Sequence, residues 1–171
     1  MSAVSTEELI RRADLAERLL ELSGFASGRV FFTTGGADAN ENAVKFARQA
    51  AGKPAGLVIA RDRSYHGATF MGMALSGDAR TQAQIDARAM GVRRVPAPYA
   101  YRCPFGGRTE AESGRLAAEA VGELIDAEGA ARVAAAIMEP DAGTNGVVAP
   151  ESYWPCLRRA TAERGVLLIA D

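Results

Sequence analysis

Hydrophobic positions recur along this chain with two periods. Leu9, Ala13, Ala16 and Leu20 return every three or four residues, which predicts a helix over residues 5–23, opened by a Ser5/Glu8 capping box and stopped at Gly24. Ala43, Val44, Ala47 and Ala51 mark a second helix over 37–51, ended by Gly52-Lys53-Pro54. Leu116, Ala120, Val121, Leu124 and Ile125 mark a third over 109–128, with Thr109 and Glu112 at its start. A fourth is expected over 152–164, with Ser152 as N-cap and Pro155 tolerated in the first turn. Between these lie short strand-like runs: 57–60, 133–138 and 166–170 are apolar throughout, 29–33 is apolar from Val30 to Phe32, and 92–95 is a weaker candidate. Such runs suit central parallel strands covered on both faces. Residues 68–76 form a small apolar stretch that reads as a short helix, and a polar helix is expected over 80–90. Pro96–Gly107, with three prolines and two tyrosines, reads as an ordered surface or interface loop. Alternating strands and helices predict an α/β fold with a mostly parallel sheet and helices on both faces.

Composition changes little in this picture. The chain has 171 residues, 48% hydrophobic and 24% charged, with net charge −1, so a polyanionic partner such as nucleic acid is not expected. No apolar run approaches the roughly 20 residues needed to span a bilayer. Met1–Glu8 lacks the basic-then-apolar pattern of a secretory leader. Cys103 and Cys156 lie too far apart for a metal-spaced pair, no metal site is expected, and free thiols in a cytoplasmic protein are the default. Eighteen arginines accompany only two lysines, Lys45 and Lys53.

The candidate chemistry gathers where strands end. Phe31-Phe32-Thr33-Thr34-Gly35-Gly36-Ala37-Asp38-Ala39-Asn40-Glu41 reads as strand, glycine turn and helix start, where backbone N–H groups and the helix dipole favour an anion. It fits neither G-x-G-x-x-G nor G-x-x-x-x-G-K-[ST]. Tyr65-His66-Gly67, Glu139-Pro140 and Asp171 fall at the carboxyl ends of later strands, where open α/β sheets bind ligands. Each has an ordinary structural reading: a half-buried Tyr65, a structural His66, a plain loop carboxylate at Glu139. Asp62 lies near the spacing of a ribose ligand, which leaves open a non-catalytic phosphate-ligand or nucleotide-binding module.

Four segments in order resemble the class III aminotransferases, fold type I pyridoxal-phosphate enzymes: Gly35-Gly36-Ala37-Asp38-Ala39-Asn40-Glu41, Tyr65-His66-Gly67, Glu139-Pro140 with Gly143-Thr144-Asn145-Gly146, and the apolar strand ending at Asp171. The resemblance implies that Gly36 and Ala37 hold the phosphate of pyridoxal 5'-phosphate and that Tyr65 stacks on its ring. It implies that Asp171 keeps the pyridine nitrogen protonated, a catalytic role, and that Glu139 orients Asp171 or the ring hydroxyl. It implies a homodimeric transaminase acting on a small-molecule amino donor and a 2-oxo acid. The family's Schiff-base lysine follows the aspartate strand, and neither Lys45 nor Lys53 matches it. A partial large domain is therefore expected, without the amino-terminal segment, the lysine region or the small carboxyl-terminal domain, and inactive alone. A third possibility is a catalytically dead homologue serving as an oligomer partner. Where some members carry a glutamate five residues after the Glu of Glu-Pro, this chain has Thr144, which is closer to members using pyruvate with ω-amino acids or amines.

Overall fold

The computed structural model describes residues 5–171; Met1–Val4, on which part of the leader reading rests, lie outside the described residues. The chain divides into two compact units, residues 1–34 and 35–171. In the first, helix α1 (Thr6–Ser23) starts where the Ser5 hydroxyl accepts a hydrogen bond from the Glu8 amide at 3.1 Å, and it stops at Gly24 in the left-handed conformation, as the capping pattern predicts. The Arg12 guanidinium sits 5.2 Å from the Phe32 ring centroid. The strand expected at 29–33 does not form: the segment is irregular, and Phe31 is 59% exposed. An apolar run becomes a strand only within a ladder, and this segment belongs to neither sheet among the described residues.

The second unit is built on four parallel strands. After α2 (Gly36–Ala50) come β1 (Leu57–Arg61), α3 (Phe70–Leu75), α4 (Ala79–Gln82) and β2 (Val92–Val95). Then follow a 3-10 turn at Ala100–Arg102, α5 (Glu110–Glu128), a second 3-10 turn at Ala130–Arg132, β3 (Val133–Met138), the short β4 (Asp141–Ala142) and β5 (Val147–Val148), α6 (Tyr153–Ala162) and β6 (Leu167–Ala170). The sheet order is β2-β1-β3-β6, all parallel, while β4 and β5 form a separate antiparallel hairpin.

Alternation along the strands sorts two cores. Leu57, Ile59, Val133 and Met138 pack with Ala117, Val121 and Ile125 of α5 and Tyr153 and Leu157 of α6. Val58, Ala60 and Ile137 pack with Val44 of α2 and Ala74 and Leu75 of α3. Every residue of β1 and β3 is buried, and all but Arg61 at the end of β1 are apolar, which is why 57–60 and 133–138 read as apolar runs. Their carboxyl ends emerge together on one side of the sheet.

Two helices differ from expectation. Over 80–90 only the single turn of α4 forms, capped by Asp78, and Ile85, Ala87 and Met90 reach the core from irregular backbone. Ser152 does not cap α6; its hydroxyl donates to the Ala111 carbonyl of α5 at 2.7 Å instead, tying the two helices together. Thr109 does cap α5, accepting from the Glu112 amide at 3.1 Å, while the Glu112 carboxylate accepts from the Arg108 amide at 2.9 Å.

Candidate active site

Helix α2 opens without a side-chain cap. The first-turn N–H groups of Gly36 and Ala37 therefore have no acceptor within the helix and lie at its positive end. The chain bends at Thr34 and Gly35 into the helix, and Gly35 itself is fully extended, at φ 175° and ψ 173°, a conformation open to any residue. A Cβ on Gly35 or Gly36 would meet nothing within 4 Å. Space beside the helix start, rather than backbone strain, is what these two glycines provide.

The loop leaving β1 lies against this helix start. Gly67 has φ +120°, and a Cβ there would come within 2.5 Å of the Ala37 Cβ. The close approach and the left-handed backbone both require glycine. Gly67→Ala is expected to cost about 2–3 kcal/mol in a urea melt; a cost too small to resolve would show that the loop relaxes freely away from α2.

One turn along α2, the buried Asn40 amide joins three elements. Its Nδ2 donates to the His66 carbonyl at 3.0 Å and to Asp171 Oδ2 at 2.8 Å. The same Asp171 oxygen lies 2.7 Å from His66 Nδ1. An ionised carboxylate only accepts, so Nδ1 carries the proton of that bond. The hydrogen bond from His66 holds the Asp171 carboxyl below the usual carboxylate range, and Asn40 acts in the same direction against partial burial. The Asp171 amide donates to the Met138 carbonyl at 3.1 Å, which fixes the residue at the carboxyl end of β6. His66 is buried, and its Nε2 has no partner among the described residues.

Glu139, at the end of β3, is 6% exposed and accepts from the Tyr65 amide through Oε1 at 3.0 Å. Its hydrogen bonds among the described residues run to Tyr65 and Arg61, with none to Asp171. The Tyr65 side chain is 45% exposed, leaving its ring available to a flat partner. Five predicted positions, Gly36, Ala37, Tyr65, Glu139 and Asp171, thus fall on connected elements at one end of the sheet.

The lysines lie elsewhere. Lys53 donates to the carbonyls of Ala130 and Val133 at 3.0 and 2.8 Å, at the amino end of β3 and so at the opposite end of the sheet. Lys45 is bonded to Asn42 Oδ1 at 2.6 Å and lies over the Phe46 ring. Asp62 faces Arg94, with burial raising its carboxyl pKa and Arg94 opposing the rise. Thr144 sits in the β4–β5 turn, where the neighbouring Asn145 donates to the Arg63 carbonyl at 2.8 Å. An open groove of about 740 Å³ runs along α2 past Asp38, Lys45 and Arg48, with Met71 of α3 in its wall, and none of Tyr65, His66, Glu139 and Asp171 lines it.

The aminotransferase class-III family profile matches residues 2–171. The chain belongs to the class III aminotransferases. It is 37% identical over 164 residues to a diaminobutyrate–2-oxoglutarate transaminase of Halomonas elongata, covering 92% of this chain and 35% of that protein. A putrescine–pyruvate aminotransferase of Pseudomonas aeruginosa is 34% identical, with 92% and 36% covered. Among solved structures, an amine transaminase from an uncultivated Pseudomonas species, in its pyridoxal-phosphate-bound form, superposes with TM-score 0.83 at 34% identity, covering 94% of this chain and 37% of that one. The chain thus spans about a third of the length of these relatives. Class III aminotransferases depend on pyridoxal phosphate, and the residues at this end of the sheet suit that group. A helix start with open space beside it suits a phosphate, an exposed tyrosine suits a ring face, and a carboxylate held ionised suits a protonated ring nitrogen.

From residue order alone His66 reads as structural, and Asn40 and Arg61 carry no assigned role. The signal for Asn40 was available: it falls four residues before Val44 on the buried stripe of α2, where a polar side chain needs a partner. Among the described residues, no helix is long and apolar enough to cross a membrane.

Proposed function

We propose that this chain forms the cofactor-binding face of a transaminase that moves an amino group from an ω-amino acid or amine to a small 2-oxo acid such as pyruvate. The observation that carries this reading is the Asn40–His66–Asp171 cluster, which draws an ionised carboxylate to the loop that packs on the start of α2. Bound pyridoxal phosphate supplies an electron sink for charge developing on the substrate carbon. Gly36 and Ala37 would hold its phosphate through backbone N–H groups, Tyr65 would cover a ring face, and Asp171 would keep the ring nitrogen protonated. Glu139 would act through Tyr65. Thr144, in place of an acidic gate, favours a small 2-oxo acid such as pyruvate over glutamate as the partner in transfer. The same reading places the protein in the cytoplasm as a homodimer, and the unbridged Cys103 and Cys156 fit a reducing compartment.

Gly36→Asp tests the phosphate end. An acid in the first turn favours the helix, and the space at Gly36 is open, so the variant should fold as well as the parent. Its carboxylate should weaken pyridoxal-phosphate binding at least roughly tenfold in an absorbance titration and leave phosphate-free pyridoxal unaffected. Equal titration curves for parent and variant would sink the assignment. Because neither lysine lies at the Asp171 end of the sheet, the purified chain should bind cofactor without transferring amino groups. Turnover abolished by changing Lys45 or Lys53 would overturn that expectation.

A further inference from the structure

Tyr65 poses a physical problem. Its ring is 45% exposed, so packing does not fix it, yet a ring contact serves a cofactor only if it is held in place. Its backbone is held by a different route. Arg61, at the carboxyl end of β1, is 1% exposed, and its Nη2 donates to the Glu139 carbonyl at 2.7 Å and to Glu139 Oε2 at 3.3 Å. The other oxygen of the same carboxylate accepts from the Tyr65 amide. Residues 61 and 65 are therefore clamped to one side chain on the neighbouring strand, and the turn between them is closed. The turn is strained, since Arg63 has φ +61°.

The arrangement is costly for stability alone. Arg61 Nη1 is buried with no hydrogen-bond partner within bonding distance among the described residues, the guanidinium lying 6.0 Å from the Tyr153 ring centroid, and a buried ion pair is often replaceable by apolar residues without loss. We propose that Arg61 is a positioning residue: by fixing the Glu139 carboxylate from below, it sets the Tyr65 backbone and hence the place of the ring against the cofactor. The proposal rests on the pyridoxal-phosphate reading of the site, but its first consequence concerns the chain without cofactor.

The test compares the full chain with Arg61→Lys and with the double variant Arg61→Met/Glu139→Gln, which removes both charges together and keeps a side-chain oxygen near Tyr65. Hydrogen exchange is followed at the Tyr65 amide and, as a folding control, at Ile59 and Ala136 in the sheet. In the double variant the Tyr65 amide should exchange roughly tenfold faster while the two controls are unchanged. Pyridoxal-phosphate affinity should fall by a similar factor, with inorganic phosphate competing as before. Arg61→Lys, which keeps the charge and can reach one Glu139 oxygen, should recover most of both losses. Unchanged exchange at Tyr65, or acceleration shared equally with Ile59 and Ala136, overturns the proposal. Faster Tyr65 exchange with undiminished cofactor affinity overturns it as well. If the parent chain itself fails to bind pyridoxal phosphate while Tyr65 exchange still rises, the clamp stands and the cofactor reading falls.

Discussion

Replacing Asp171 by Asn is expected to weaken pyridoxal-phosphate binding by between about tenfold and a hundredfold, the range for losing a hydrogen bond that carries charge. The substitution is selective. One oxygen of Asp171 takes both the Asn40 and the His66 hydrogen bonds, and an asparagine oxygen can accept the same two. The two hydrogen bonds should therefore survive with the charge removed, and a thermal melt should show only the loss of the stability that the ionised carboxylate adds. The pH dependence follows from the sign of the shift. The folded-state carboxyl lies below its ordinary range because His66 and Asn40 bond to the ionised form. Its contribution is thus fully present above the unfolded-state value of about 3.9 and is lost only as pH falls through the still lower folded value. Cofactor affinity should hold on the acid side down to the ordinary carboxylate range, and His66→Ala should move the loss to higher pH. Binding that is equally tight in Asp171→Asn, measured by titration at pH 7, would remove Asp171 from the cofactor site.

Much of this could be read from residue order, and what could not has a physical reason. Strands β1 and β3 were legible because burial on both faces leaves 57–60 and 133–138 without polar positions, Arg61 at the end of β1 being the exception, and α5 because Thr109 and Glu112 bracket its start. The run Val30-Phe31-Phe32 looks equally apolar yet forms no strand, since strand formation depends on neighbours that local sequence does not specify. Residues 80–90 looked helical by composition, but the Gln82 side chain bonds back to the Ser76 carbonyl and to Arg94, and the chain turns toward the core after one helical turn. At the candidate site, the sequence marked Gly36, Ala37, Tyr65, Glu139 and Asp171 as points at strand and helix ends. Their connections were invisible: Asn40 meets Asp171 across 131 residues, and Glu139 meets Tyr65 across 74. Residue types indicate what chemistry is available, whereas a polar network depends on which sheet ends meet.

Gly77→Ala is expected to cost about 3–5 kcal/mol, combining an overpacking penalty with the loss of about two backbone hydrogen bonds. A Cβ at this position would lie 2.2 Å from the Arg61 carbonyl oxygen, 2.6 Å from the Asp62 Cα and 2.7 Å from the Arg63 amide nitrogen. All three are backbone atoms, so no rotamer change relieves the contact. Either the 61–64 turn moves or the 76–78 segment does. Moving the turn breaks the bonds from the Arg63 amide to the Gly77 carbonyl at 3.0 Å and from the Gly77 amide to the Ser64 carbonyl at 2.9 Å. Moving the segment pulls Ser76 away from the His66 amide, to which its hydroxyl is bonded at 2.8 Å. Both routes disturb the residues that hold Tyr65 and His66, so lost stability and lost cofactor binding should appear together. A cost of this size is a large part of the 5–15 kcal/mol that stabilises an ordinary domain. Urea unfolding of the variant therefore decides the matter, and a cost below about 1 kcal/mol would mean that the turn carrying Tyr65 is far more pliable than its strained Arg63 and its paired backbone imply.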